Sequence, residues 1–156
     1  MDTESVCYTL ETGLEKAIEI ESNSFESYKD AYQRLQNRRA KELAKEIALD
    51  ELEHKYTLEK AFFEETVSLH DSGSESLGMQ LTVMLADREL DSDATEQDVM
   101  IHAIHNKKRI VEFYRGMSEQ CSGAPMEKIF QRLCREEQKH LTELEEFYEK
   151  VYMPDM

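Results

Sequence analysis

The sequence predicts an all-α chain folded as one antiparallel four-helix bundle over residues 1–156. Three observations predict it. The 156 residues include only five glycines and two prolines, so long helices are largely spared the residues that break them. Apolar residues recur at steps of three and four along four long stretches, the period of a helix with one buried face. Very short turns join the stretches except for one longer central connection, the wiring of an up-down bundle.

The first helix is expected from Thr9 to Gln36. Its inward stripe reads Leu10, Leu14, Ala17, Ile18, Glu21, Phe25, Tyr28, Tyr32 and Leu35. Thr9 suits the N-cap and Asn37 the stop. The second is expected from Arg38 to Leu69, with Leu43, Ile47, Glu51, His54, Leu58 and Phe62 on one side. These form the first helix pair, 9–69. In the connection, 70–94, His70 to Glu75 reads as a loop and Leu77 to Leu90 as a short helix or an irregular cover. The second pair, 95–152, starts with a capping box at Thr95-Glu96-Gln97-Asp98. Its third helix has the stripe Val99, Met100, Ala103, Lys107, Ile110, Val111, Tyr114 and Met117. Ser122-Gly123-Ala124-Pro125 turns the chain, with Pro125 suited to the first helical position. The fourth helix shows the stripe Ile129, Phe130, Leu133, Glu137, His140, Leu141, Leu144, Phe147 and Val151.

Lys plus Arg number 19 and Asp plus Glu 34, a formal charge of -15. That sign disfavours nucleic acid and anionic membranes as partners. No apolar run is long enough to span a bilayer, and the acidic N-terminus does not read as a secretory signal, so a cytoplasmic address is expected. Cys7, Cys121 and Cys134 are odd in number and include no Cys-x-x-Cys pair. A disulfide framework, a zinc ribbon and a rubredoxin-type iron site are therefore not expected.

The two helix pairs align without a gap at an offset of 86 residues. Thr9 falls on Thr95, Ala17-Ile18 on Ala103-Ile104, Tyr28 on Tyr114, Glu51 on Glu137 and His54 on His140. A duplicated hairpin implies pseudo-two-fold symmetry, with equivalent side chains facing one another. Glu51-Leu52-Glu53-His54 and Glu137-Gln138-Lys139-His140 are both Glu-x-x-His, a spacing that presents carboxylate and imidazole on one side of a helix. A single such motif usually lies on a solvated face; two at equivalent positions on the buried stripe are far more specific. Facing buried carboxylates repel unless a cation lies between them. Carboxylate-rich sites with one His per metal suit iron or manganese better than zinc. Glu21, in the stripe of the first helix, supplies a further acid.

Ala17-Ile18-Glu19-Ile20-Glu21…Tyr28 followed by Glu51-x-x-His54 resembles the rubrerythrin branch of the ferritin-like superfamily. The second half, Ala103-Ile104…Tyr114 followed by Glu137-x-x-His140, resembles its partner, and the likeness runs from about Thr9 to Tyr152. It implies a ferritin-like di-iron carboxylate fold and two irons. Glu21, Glu51 and His54 would serve one iron, Glu137 and His140 the other, with Glu51 and Glu137 bridging. The implied activity is reduction of peroxide or oxygen by an oxidoreductase. No rubredoxin-type motif accompanies it, so a separate electron-donor protein is expected. A homodimer is a further expectation of the resemblance. The rival functions are a non-catalytic binding or regulatory bundle, and iron oxidation for storage.

The repeat partner of Glu21 is Lys107, where the family pattern expects Glu. A protonated ammonium is a donor only and cannot ligate a metal. The second metal could bind weakly without that ligand. Lys107 could stand in for one of two metals. It could neutralise an acidic cluster that holds no metal, or lie at the stripe's edge and reach outward. Tyr28 and Tyr114 could donate hydrogen bonds to ligating carboxylates or simply pack in the core. His102 and His105 read as surface residues.

Overall fold

The computed structural model describes residues 10–65, 90–124 and 126–154. Four helices fill them: α1, Leu10–Arg34; α2, Arg38–Glu65; α3, Glu96–Gln120; and α4, Met126–Tyr152. No strand occurs among the described residues. α1 packs chiefly on α2 and α3 chiefly on α4, while α1–α3 and α2–α4 contacts join the two hairpins. This is the four-helix bundle that the patterning predicts. Thr9, Pro125 and the expected loop and cover at 70–89 lie outside the described residues.

Local chemistry sets the helix ends. Asn37 begins α2, its Oδ1 accepting from the Ala40 N–H at 3.0 Å, while α1 already ends at Arg34. Its own N–H donates to Glu96 Oε1 at 2.9 Å, which ties the first turn to the start of α3. The expected capping box is present: the Asp98 N–H donates to Thr95 Oγ1 and the Thr95 N–H to Asp98 Oδ2, each at 3.1 Å. Gly123 turns the chain between α3 and α4 with φ +84°, a conformation that side chains resist. Gly13 admits the close approach of Met126, whose Cε would lie 2.7 Å from a Cβ at that position.

Two expectations fail. Tyr32 is 38% exposed, while Ala31 is buried in its place. Steps of three and four from Tyr28 to Leu35 pass through Ala31 as readily as through Tyr32, so periodicity alone does not choose between them. Lys41 Nζ instead covers the Tyr32 ring, 4.2 Å from its centroid. Cys121 is disulfide-bonded, whereas Cys134 is free. An odd count without close pairs excludes a dense framework, but a single bridge needs only two thiols that the fold brings together.

The interior divides into two apolar clusters. One holds Leu14, Ile20, Leu58, Tyr114, Met126, Phe130 and their neighbours. The other holds Leu35, Ala44, Ile47, Met100, Val111, Leu144 and theirs. The buried polar side chains are Glu21, Ser24, Glu51, Lys107, Glu137 and His140. Placing several charges in such an interior is costly unless they are paired or metal-bound.

Candidate metal centre

Each helix delivers its polar groups at helical spacing. α1 carries Glu21, Ser24 and Tyr28; α2 carries Asp50, Glu51 and His54; α3 carries Lys107 and Tyr114; α4 carries Glu136, Glu137 and His140. Glu21, Glu51, Lys107 and Glu137 are wholly buried, and His140 nearly so. The His54 and His140 rings stack at the centre, centroids 6.0 Å apart and planes inclined at 24°. The imidazoles of the two Glu-x-x-His motifs therefore meet, with acids on both sides. Glu21, Glu51, His54 and Glu137 each offer a donor atom, and these atoms all lie within 4.8 Å of one another. His140 stands outside that group of four.

The histidines are held alike. Nε2 of His54 meets Glu136 Oε1, and Nε2 of His140 meets Asp50 Oδ2 at 3.0 Å. Each imidazole thus leans on the acid that precedes the other helix's motif glutamate. Such an outer carboxylate fixes ring orientation and leaves Nδ1 for the interior. Nδ1 of His54 lies 2.9 Å from Glu21 Oε1, 3.4 Å from Glu51 Oε1 and 3.7 Å from Glu137 Oε2. Nδ1 of His140 lies 3.1 Å from Glu137 Oε1 and 3.6 Å from Glu51 Oε1.

Lys107 does not reach outward. Its Nζ donates to Glu51 Oε2 at 2.8 Å and to Glu137 Oε1 at 2.6 Å. Ser24 Oγ donates to Glu51 Oε2 and accepts from Lys107 Nζ at 3.4 Å. Glu51 and Glu137 therefore each turn one oxygen to the ammonium. Their other oxygens, Glu51 Oε1 and Glu137 Oε2, are buried without a hydrogen-bond partner. Those two oxygens approach His54 Nδ1, as does Glu21 Oε1.

The electrostatics follow from this packing. Burial opposes the Lys107 ammonium, but Glu137 and Glu51 outweigh it and hold its pKa well above the usual lysine value. Burial likewise opposes the Glu137 carboxylate, yet Lys107 and the two histidines keep its pKa well below the ordinary range. Glu21 has no ammonium beside it. Burial first, then Glu137 and Glu51, push its pKa well up. Burial opposes protonated His54, but the surrounding carboxylates of Glu137, Glu21 and Glu51 raise its pKa. His140 is raised too: Glu137 overcomes burial there. In the metal-free protein both imidazoles thus favour the charged form.

The tyrosines part company. Tyr114 Oη donates to Glu21 Oε2 at 2.9 Å, and burial together with Glu21 raises its pKa. Tyr28 Oη, at the equivalent position, is buried with no hydrogen-bond partner. Its ring instead faces Lys107 Nζ, 5.0 Å from the centroid. His105 is exposed and His102 half-buried, and neither belongs to the cluster. Sequence reasoning missed Ser24, Asp50 and Glu136. The 86-residue offset pairs Asp50 with Glu136, a signal that could have found both. Ser24 falls on Ile110, so the repeat carries no trace of it.

The donor set fits a divalent cation. Carboxylate oxygens and one imidazole nitrogen are the ligands iron and manganese favour. Orphaned oxygens on Glu51 and Glu137 are unusual for a buried carboxylate, and a cation would satisfy both. Three carboxylates and one ammonium leave a net charge of two negatives with neutral histidines, which one dication neutralises.

Comparison with known proteins agrees with this architecture. A search of curated proteins finds no match. The Rubrerythrin family model matches residues 12–148, which takes in every residue of the centre. The chain belongs to the Rubrerythrin family, whose members are ferritin-like di-iron carboxylate proteins.

Proposed function

We propose that this protein is a rubrerythrin-type oxidoreductase that reduces peroxide or oxygen at iron held by Glu21, Glu51, His54 and Glu137. His140 stands beside that set, and a separate donor protein supplies the electrons. The observation that carries the reading is the convergence of buried donors, two of them carboxylate oxygens with no other partner. Bound iron would supply the reversible one-electron redox step that no side chain in the cluster provides.

The chain's own residues do the rest. Tyr114 fixes Glu21, Ser24 fixes Glu51, and Glu136 and Asp50 orient the two imidazoles. A pocket of about 140 Å³ reaches His54 between α2 and α4, walled by Leu58, Ala61, Ile129 and Leu133, with Arg132 and Glu136 also lining it. That size and lining suit a molecule as small as peroxide or oxygen. Reducing one peroxide to two waters consumes two electrons and two protons, so the donor must deliver two electrons per turnover. No helix among the described residues is long and apolar enough to cross a membrane.

The test is metal content per chain, followed by peroxide consumption with a chemical reductant. Tightly bound iron with turnover supports the reading; absence of tightly bound metal overturns it. One observation favours a second reading, a binding or regulatory bundle without turnover. Lys107 already neutralises one side of the acidic cluster. Bound iron without peroxide or oxygen consumption would select that reading.

A further inference from the structure

We infer that Lys107 occupies the place of a second cation, so that the centre takes one divalent ion per chain, on the side of Glu21 and His54. The inference rests on the metal-binding reading above and specifies its stoichiometry.

Three observations carry it. First, Glu51 and Glu137 are divided between two partners as bridging carboxylates between two cations would be. Glu51 Oε2 and Glu137 Oε1 accept from the ammonium. Glu51 Oε1 and Glu137 Oε2 remain open towards His54. A second dication bridging the same pair would need the oxygens that Lys107 holds, and it would meet a like charge. Second, the charges match. Four buried glutamates and two dications sum to zero in the two-metal arrangement of ferritin-like bundles. Here three glutamates, one ammonium and one dication also sum to zero when both imidazoles are neutral. Third, the surroundings of Lys107 are those of a substituted ligand. Tyr114 donates to Glu21, but Tyr28 has no acceptor in the other half, because an ammonium only donates. Lys107 is also fully buried with two short ion pairs, so it does not leave readily to admit a second ion.

The test uses the full chain, stripped of metal and reloaded without oxygen with Fe(II) or Mn(II). The expected result is one tightly bound ion per chain. Electron paramagnetic resonance of the Mn(II) form should show an isolated ion at every loading, with no exchange-coupled pair. Lys107→Glu should raise the count to two and produce the coupled signal. His54→Ala should weaken binding at least about tenfold more than His140→Ala. Two ions in the unaltered protein, or a coupled signal, would overturn the inference while leaving the metal-binding reading intact. No ion at all would overturn both. A folded Lys107→Glu protein that still binds one ion would overturn the inference, as would equal losses in the two histidine variants. The measurements on the unaltered chain decide the matter even if Lys107→Glu fails to fold.

Discussion

Glu21 and Lys107 occupy equivalent places in the two halves of the centre, and they do opposite things. On the Glu21 side a carboxylate accepts from Tyr114 and lies against His54 Nδ1. On the Lys107 side an ammonium donates to both motif glutamates and leaves Tyr28 without a partner. The imidazoles of the two halves stack at the centre, while the side chains at the Glu21 and Lys107 positions carry opposite charge. One side chain of reversed sign can take over the neutralising work of a metal ion without changing the fold around it. An ammonium cannot itself ligate a metal, so the proposed iron falls to the half that keeps its carboxylate.

The comparison can be broken most severely at Lys107. Lys107→Glu replaces the only lysine of the cluster by a fourth carboxylate. Metal-free, it should lose more than the roughly 3–5 kcal/mol that removing one member of a buried ion pair costs. Mn(II) should restore most of that loss in denaturant melts, because binding only the folded state stabilises it. A metal-free variant as stable as the parent would contradict the ion-pair geometry. The tyrosines come next. Tyr114→Phe removes a hydrogen bond to a buried carboxylate and should cost about 1.5–3 kcal/mol. Tyr28→Phe removes a hydroxyl with no partner and should be near neutral, within about 0.5 kcal/mol. Equal effects would mean that the halves are more alike than the hydrogen bonds indicate.

A finer contrast lies between the acids behind the histidines. Glu136→Ala releases His54 and should weaken metal binding by about 10–100-fold. Asp50→Ala releases His140 and should weaken it less. Titration calorimetry on both variants checks the order. Acidity should act in the same sense on the whole centre. Burial disfavours protonated imidazoles, but the neighbouring carboxylates win and raise both histidine pKa values. A cation entering at His54 must displace a proton from Nδ1, so affinity should fall as pH falls, by up to about tenfold per pH unit. Metal affinity that is flat with pH would show that His54 is not a ligand.

Much of this centre is legible in the sequence because duplication doubles the signal. One Glu-x-x-His on a glutamate-rich helix says little, but two at the same offset on the buried stripe identify Glu51, His54, Glu137 and His140 together. The same offset exposes Lys107 as the departure. It does not say which way the lysine points, because a long amphipathic side chain at a stripe position can be buried by its partners or reach for water. Only the third dimension decides between those, and it brings Glu51 and Glu137 to the ammonium. Asp50 and Glu136 went unread because their side chains are partly exposed, and acids on an exposed face are ordinary. Ser24 has no counterpart in the repeat, and its value depends on a partner 27 residues away. Tyr32 failed because Ala31 fits the three- and four-residue period equally well, and packing, not periodicity, decides between adjacent positions.

The most direct measurement is a crystal structure of the iron- or manganese-loaded protein, with anomalous diffraction at the metal's absorption edge. One peak per chain is predicted, within ligand distance of His54 Nδ1 and of Glu21, with Lys107 still bonded to Glu51 and Glu137. Two peaks, or one peak beside His140 with Lys107 displaced, would contradict the account.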